Sequence, residues 1–173
     1  MGSELIRAFQ RDVIEGSMES RKFFLSLKDE PRESAIAFCR WVVSNITYEK
    51  HPVIIKAAFD KLAHLRDIPS LEPLAQLREE WTNTYLNEYE YLIALMENAQ
   101  TGAKCNCNVY QDGKFNVPPY QDDLEEIGTG KRDHDGFIQT DLIYVLCRTC
   151  ESEWEVEIDY TYHYPHSHWR RNN

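Results

Sequence analysis

The stretch Leu142–Asp159, LIYVLCRTCESEWEVEID, decides the fold of the C-terminal part of this chain. It opens on an apolar run rich in Ile, Tyr and Val, passes through Cys147-Arg148-Thr149-Cys150, and then alternates. Trp154, Val156 and Ile158, continued by Tyr160 and Tyr162, fall on one side; Glu151, Glu153, Glu155, Glu157 and Asp159 fall on the other. A period of two belongs to a strand, so the segment reads as strand, Cys-x-x-Cys turn, strand. A redox Cys-x-x-Cys normally opens a helix, whose N-terminus stabilises the thiolate. A strand follows here, so the sulfurs point to metal ligation instead.

Working outward, the flanking sequence keeps this β character. A run from Phe137 to Leu146 and another from Trp154 to Tyr162 read as strands, and Asp112-Gly113, Gly128-Thr129-Gly130 and Asp135-Gly136 read as turns. Upstream of Thr101-Gly102 the period becomes helical. Ser3 caps a segment through Glu15 carrying Leu5, Ile6, Phe9, Val13 and Ile14, and residues 18–27 supply Phe23, Phe24 and Leu27. Pro31 and Pro52 open two further helices. The longest helix is predicted over Leu71–Glu97, with Leu74, Leu77, Trp81, Tyr85, Tyr89, Leu92 and Met96 in one stripe. The expected fold is α+β: a helical bundle over 1–102, then an antiparallel β domain over 103–173 that binds zinc.

Four of the five cysteines lie in that β part as two close pairs, Cys105-Asn106-Cys107 and Cys147–Cys150; Cys39 sits alone on a helix and reads as a small buried residue. The paired arrangement resembles the zinc-ribbon fold group over about residues 105–162. In that group two cysteine knuckles on β-hairpins clamp one Zn²⁺. The resemblance implies a structural Zn²⁺ held by Cys105, Cys107, Cys147 and Cys150. Two departures stand out: the first pair is Cys-x-Cys, and thirty-nine residues separate the pairs, where the compact pattern has about 15–20. An inserted hairpin within 111–136 would absorb the excess. Reduced thiols and disulfides are the competing readings, the second opposed by the strain of bridging neighbouring cysteines. Four sulfurs would leave no open position for catalysis, and the nucleobase-deaminase pattern is missing, because Leu146 precedes Cys147 and no His is followed two residues later by Glu.

Charge narrows the classes of partner. The chain of 173 residues is 42% hydrophobic and 28% charged, with a net charge of −10. Residues 1–104 carry 13 Lys/Arg against 16 Asp/Glu, whereas 105–173 carry 6 against 13. Nucleic-acid binding needs a basic surface, so it is disfavoured. No apolar run approaches the ~18 residues of a membrane helix, and the N-terminus lacks a secretory pattern; a cytoplasmic protein without membrane contact is expected.

The acidic row Glu151–Asp159 has a plain reading, the wet face of a half-buried strand. Natural wet faces usually mix signs, though, because like charges about 7 Å apart repel. Five carboxylates without one Lys or Arg therefore read as a surface kept for something cationic, with Tyr162, Tyr164 and Trp169 as aromatic anchors beside it. His163, His166 and His168 lie within six residues, in a segment that reads as a solvated tail or contact surface; a second metal site is the rival. No phosphate loop, dinucleotide fingerprint or nucleophile elbow occurs. The expectation is a non-enzymatic, acidic, zinc-stabilised protein-binding module, in its most concrete form an immunity or inhibitor protein that neutralises a basic toxin such as a nuclease. The alternatives are a metal-dependent hydrolase using the histidine cluster and a transcription-associated zinc-ribbon adaptor.

Overall fold

The computed structural model describes residues 2–134, 136, 138–161 and 163–172, with side chains at all of these except 2, 3, 82–86 and 138. The chain is α+β, with helices in its N-terminal part and one antiparallel sheet in its C-terminal part. It divides into two compact units, Met1–Gln100 and Thr101–Asn173. No helix among the described residues is long and apolar enough to cross a membrane.

The first unit comprises α1 (Gly2–Phe9), α2 (Ser20–Ser26), α3 (Arg32–Asn45), α4 (Pro52–His64), α5 (Leu71–Gln76) and α6 (Arg78–Gln100). Pro52 stands in the first turn of α4, where its missing N–H costs nothing. Phe9, Phe23, Phe24 and Phe38 gather with ring centroids 5.2–6.1 Å apart, and Phe59, Trp81 and Tyr89 form a second aromatic group. The single helix predicted over Leu71–Glu97 is two. At Leu77 the chain closes a tighter turn, with the Leu77 N–H donating to the Leu74 carbonyl at 3.0 Å, and α6 starts afresh at Arg78. Leu74, Trp81, Tyr89, Leu92 and Met96 are buried as the stripe requires, while the Tyr85 side chain lies outside those described. Cys39 is fully buried, and burial pushes its thiol up to about 12.

In the second unit, α7 (Cys107–Tyr110) precedes β1 (Leu124–His134), β2 (Ile138–Cys147), β3 (Glu153–Asp159) and β4 (His166–Arg171). The four strands form one sheet in sequence order, each antiparallel to the next. Val145, Trp154, Val156, Ile158 and Trp169 share the apolar face. Three expectations change. Gly128-Thr129-Gly130 is not a turn but the middle of β1, because the Tyr144 ring lies across both glycines, 3.6 Å from where a Cβ would stand on each. Among the described residues no separate hairpin fills 111–136; a loop leads directly into β1, which pairs antiparallel with β2, while Asp135 of the expected Asp135-Gly136 turn lies outside the described residues. The expected tail is strand β4, with Trp169 packed on Tyr110 and Trp154 and its indole Nε1 donating to the Val117 carbonyl at 2.8 Å.

Among the described residues the helical unit carries one buried charge. Asp67, 5% exposed, accepts from Arg40 Nε at 2.9 Å and Nη2 at 2.5 Å, and from Ser70 Oγ at 2.5 Å. Removing one partner of such a pair strands the other in a poorly solvated place. Arg40→Ala is therefore expected to destabilise the protein by about 3 kcal/mol, read by chemical denaturation. A change within experimental error would show that Asp67 is adequately solvated without Arg40.

Candidate metal centre

The cysteine pairs converge although they come from different kinds of structure. Cys147 ends β2 and Cys150 closes the turn into β3; the Cys147 N–H donates to the Ser152 carbonyl at 3.0 Å and the Glu151 N–H to the Cys147 carbonyl at 2.9 Å. This tight return sends Glu151 into the left-handed region, at φ 56°. Cys105 and Cys107 sit instead at the entry to α7, whose first turn is closed by the Val109 and Tyr110 N–H groups on the Asn106 carbonyl. The second pair is thus on a hairpin, as in a zinc ribbon, and the first is not. Asp123 ties the two segments together, accepting from the Tyr110 hydroxyl at 2.8 Å through its side chain and from the Arg148 N–H at 3.1 Å through its carbonyl.

The four sulfurs all lie within 4.8 Å of one another, with Cys107 and Cys150 at 3.8 Å. A tetrahedron with metal–sulfur bonds of ~2.3 Å has edges of about 3.8 Å, so this donor set suits an ion such as zinc. The backbone supports anionic sulfur as well: the N–H of Cys107 reaches Cys105, and the N–H of Ser152 reaches Cys150. Burial pushes the Cys107 and Cys105 thiols up, and the neighbouring sulfurs raise Cys107 further. Burial also opposes ionisation of Cys150, but hydrogen bonds from Ser152, Cys105 and Cys147 outweigh it and bring that thiol to about 6. Among the described residues this quartet is the one grouping of three or more His, Cys, Asp or Glu side chains placed to share an ion. His163, His166 and His168 do not converge in that way.

The acidic row is distributed differently from the sequence expectation. Glu151 and Glu153 are exposed, Glu155 and Asp159 half-buried, and Glu157 is 5% exposed. Arg132, two strands away on β1, donates through Nη1 to Glu157 at 2.5 Å and through Nη2 to Glu155 at 2.8 Å. Glu157 also accepts from His134 at 2.6 Å and from the Thr140 hydroxyl at 2.7 Å, with Arg170 of β4 at 3.8 Å. The row is not a single-sign solvent face: its centre is neutralised from within the sheet. Asp159 is held below its usual range by hydrogen bonds from Thr161, with His168 and His166 adding to the effect. Trp169 is committed to packing, Tyr164 is exposed, and Tyr162 lies outside the described residues.

Sequence reasoning missed Arg132, His134 and Thr140, whose pairing with Glu157 depends on strand register. It also missed Tyr120 and Tyr160 as partners of Tyr164, around one cleft. The fold and the cysteine site define a class, an α+β chain with a tetracysteine cluster on its sheet unit. The chain matches no protein-family model, no curated protein and no solved structure.

Two outcomes follow from this geometry. Cobalt(II) titrated into the reduced protein should bind at one equivalent and give the ligand-field and sulfur charge-transfer absorption of a tetrahedral thiolate site. Cys147→Ser or Cys105→Ser should lose that signature; an octahedral spectrum from the wild type would contradict the assignment. For Glu157, burial opposes ionisation, but hydrogen bonds from Thr140, His134 and Arg132 prevail and hold its carboxyl at about 2, below the ordinary 4.5. A depressed folded value contributes stability that is present above pH 4.5 and is lost as the pH falls towards 2. Glu157→Gln should therefore cost on the order of 2 kcal/mol at neutral pH, with the gap to wild type closing across that acid window. A gap independent of pH would assign the loss to packing instead.

Proposed function

We propose that the protein is a zinc-stabilised, non-catalytic protein-binding module, an inhibitor of the immunity type that neutralises a basic toxin such as a nuclease. The observation that carries this reading is the surface of the second unit. Among the described residues its most exposed large hydrophobic side chains are tyrosines, Tyr120 at 70%, Tyr164 at 62% and Tyr160 at 56%, in a unit where Asp and Glu outnumber Lys and Arg by 13 to 7. Solvent-exposed tyrosines anchor protein interfaces, and excess charge steers the encounter. Zn²⁺ is the ion that a closed sulfur quartet of this size suits best; with four sulfurs it serves as a staple and has no place for substrate.

The charge available to a partner lies at the ends of the acidic row, since Glu155 and Glu157 are taken up by Arg132. Glu151 and Glu153, together with Asp112, Asp122, Glu125, Glu126 and Asp133, are the exposed carboxylates among the described residues of this unit. Inhibition of the nuclease toxins encoded by the same organism is the direct test. The expected result is stoichiometric inhibition of a basic toxin, with Glu151→Gln/Glu153→Gln slowing association two- to fivefold at low salt and Tyr164→Ala costing about 2 kcal/mol through faster dissociation. Failure to inhibit any of them, with zinc bound and the fold intact, would dismiss the inhibitor reading.

A further inference from the structure

A cleft of about 360 Å³ opens at one end of the sheet's apolar face, and its lining is unusual. The floor is Ile158 of β3 and Ser167 of β4, which are paired across the two strands. The walls are the rings of Tyr120, Tyr160 and Tyr164, backed by Pro118, Pro119 and Pro165. Prolines fix their own backbone angle, so these walls are stiff. Asn116 adds to this by clamping the β4 entry: its Nδ2 donates to the Pro165 carbonyl at 2.7 Å, and its Oδ1 accepts from the Ser167 N–H at 2.8 Å. Tyr164 is further steadied by stacking on His166, with centroids 4.9 Å apart.

One acid is built into this setting. Asp141 of β2 lies opposite Ile158 in the strand register, on the same face as the cleft floor; burial first, and then the charge of Asp141, push the Tyr160 phenol up. Stiff aromatic walls with a carboxylate at the margin attract a cation through the ring quadrupoles and through charge together. A purely apolar ligand would gain nothing from Asp141, and an anion would be repelled. Aromatic faces on the walls favour a planar guanidinium, which stacks on them, over a compact, strongly hydrated ammonium.

We infer that this cleft is the anchoring pocket for an arginine side chain of the partner protein, its guanidinium lying between the tyrosine rings and within reach of Asp141. The inference rests on the proposed function for the kind of partner and on the cleft alone for the arginine. A nuclease that grips polyanions presents arginines on its active surface, so the pocket gives the acidic unit a specific hold where charge alone would only steer.

The test needs no partner protein. Isotope-labelled protein is titrated with the blocked tripeptide Gly-Arg-Gly, and separately with the same peptide carrying citrulline, which keeps the planar shape without the charge. Saturable amide shifts are expected at Tyr120, Tyr160, Tyr164 and Ser167, with citrulline binding at least fivefold more weakly and the lysine peptide also weaker. Asp141→Asn should reduce arginine binding several-fold, and Tyr120→Ala or Tyr164→Ala should abolish it while the spectrum outside the cleft stays unchanged. Equal response to citrulline, equal response to lysine, or shifts located elsewhere would overturn the inference, as would no saturable shift. These arms use the wild-type protein, so they decide even if a variant misfolds. A failed toxin assay beside a positive arginine titration would remove the inhibitor reading and leave the pocket.

Discussion

The second unit depends on the meeting of four sulfurs. At roughly 70 residues it is below the size at which a single hydrophobic core comfortably outweighs chain entropy, and such units usually carry a staple. Cys105 and Cys107 stand at the entry to α7, and Cys147 and Cys150 hold the turn between β2 and β3. What lies between them in sequence, the loop 111–123 with β1 and β2, is thereby confined at both ends. Asp123 and the Trp169 indole add polar ties to the same loop. The tyrosine cleft is built on that loop, so its shape is inherited from the cysteine cluster.

The sheet solves an electrostatic problem with its own register. Alternation puts Glu153, Glu155 and Glu157 on one side of β3, where they repel one another. Arg132 reaches across β2 and forks onto two of the three carboxylates. Thr140 and His134 complete the shell around Glu157. A buried charge with this many donors is inexpensive to keep and costly to strip of any one of them. The exposed carboxylates of the row are correspondingly at its Glu151–Glu153 end.

Much of this was legible because it is local. Alternation over Trp154–Asp159, the strand–turn–strand setting of Cys147 and Cys150, and the helical stripes before Thr101 are all patterns within one element. The break at Leu77, by contrast, has no Gly or Pro to announce it, and the Gly-Thr-Gly of β1 carries a turn signature that Tyr144 overrides from another strand. The partners of Glu157 and the company of Tyr164 are contacts between segments far apart in the chain. They become visible only when register is known, which is why the acidic row read as an open surface kept for something cationic.

The sheet's strand order is its sequence order, and that has a bearing on how the unit forms. Each strand pairs with the one just made, so β1 through β4 can zip as successive hairpins with little loop-closure entropy at any step. The cysteine quartet is the exception, since it must bring together segments some forty residues apart. Sheet formation shortens that gap by delivering Cys147 beside Leu124 before any ion is needed. An ion taken up by the four sulfurs would then bind late in folding, as a latch on a hairpin stack already in place rather than as the nucleus from which the stack grows.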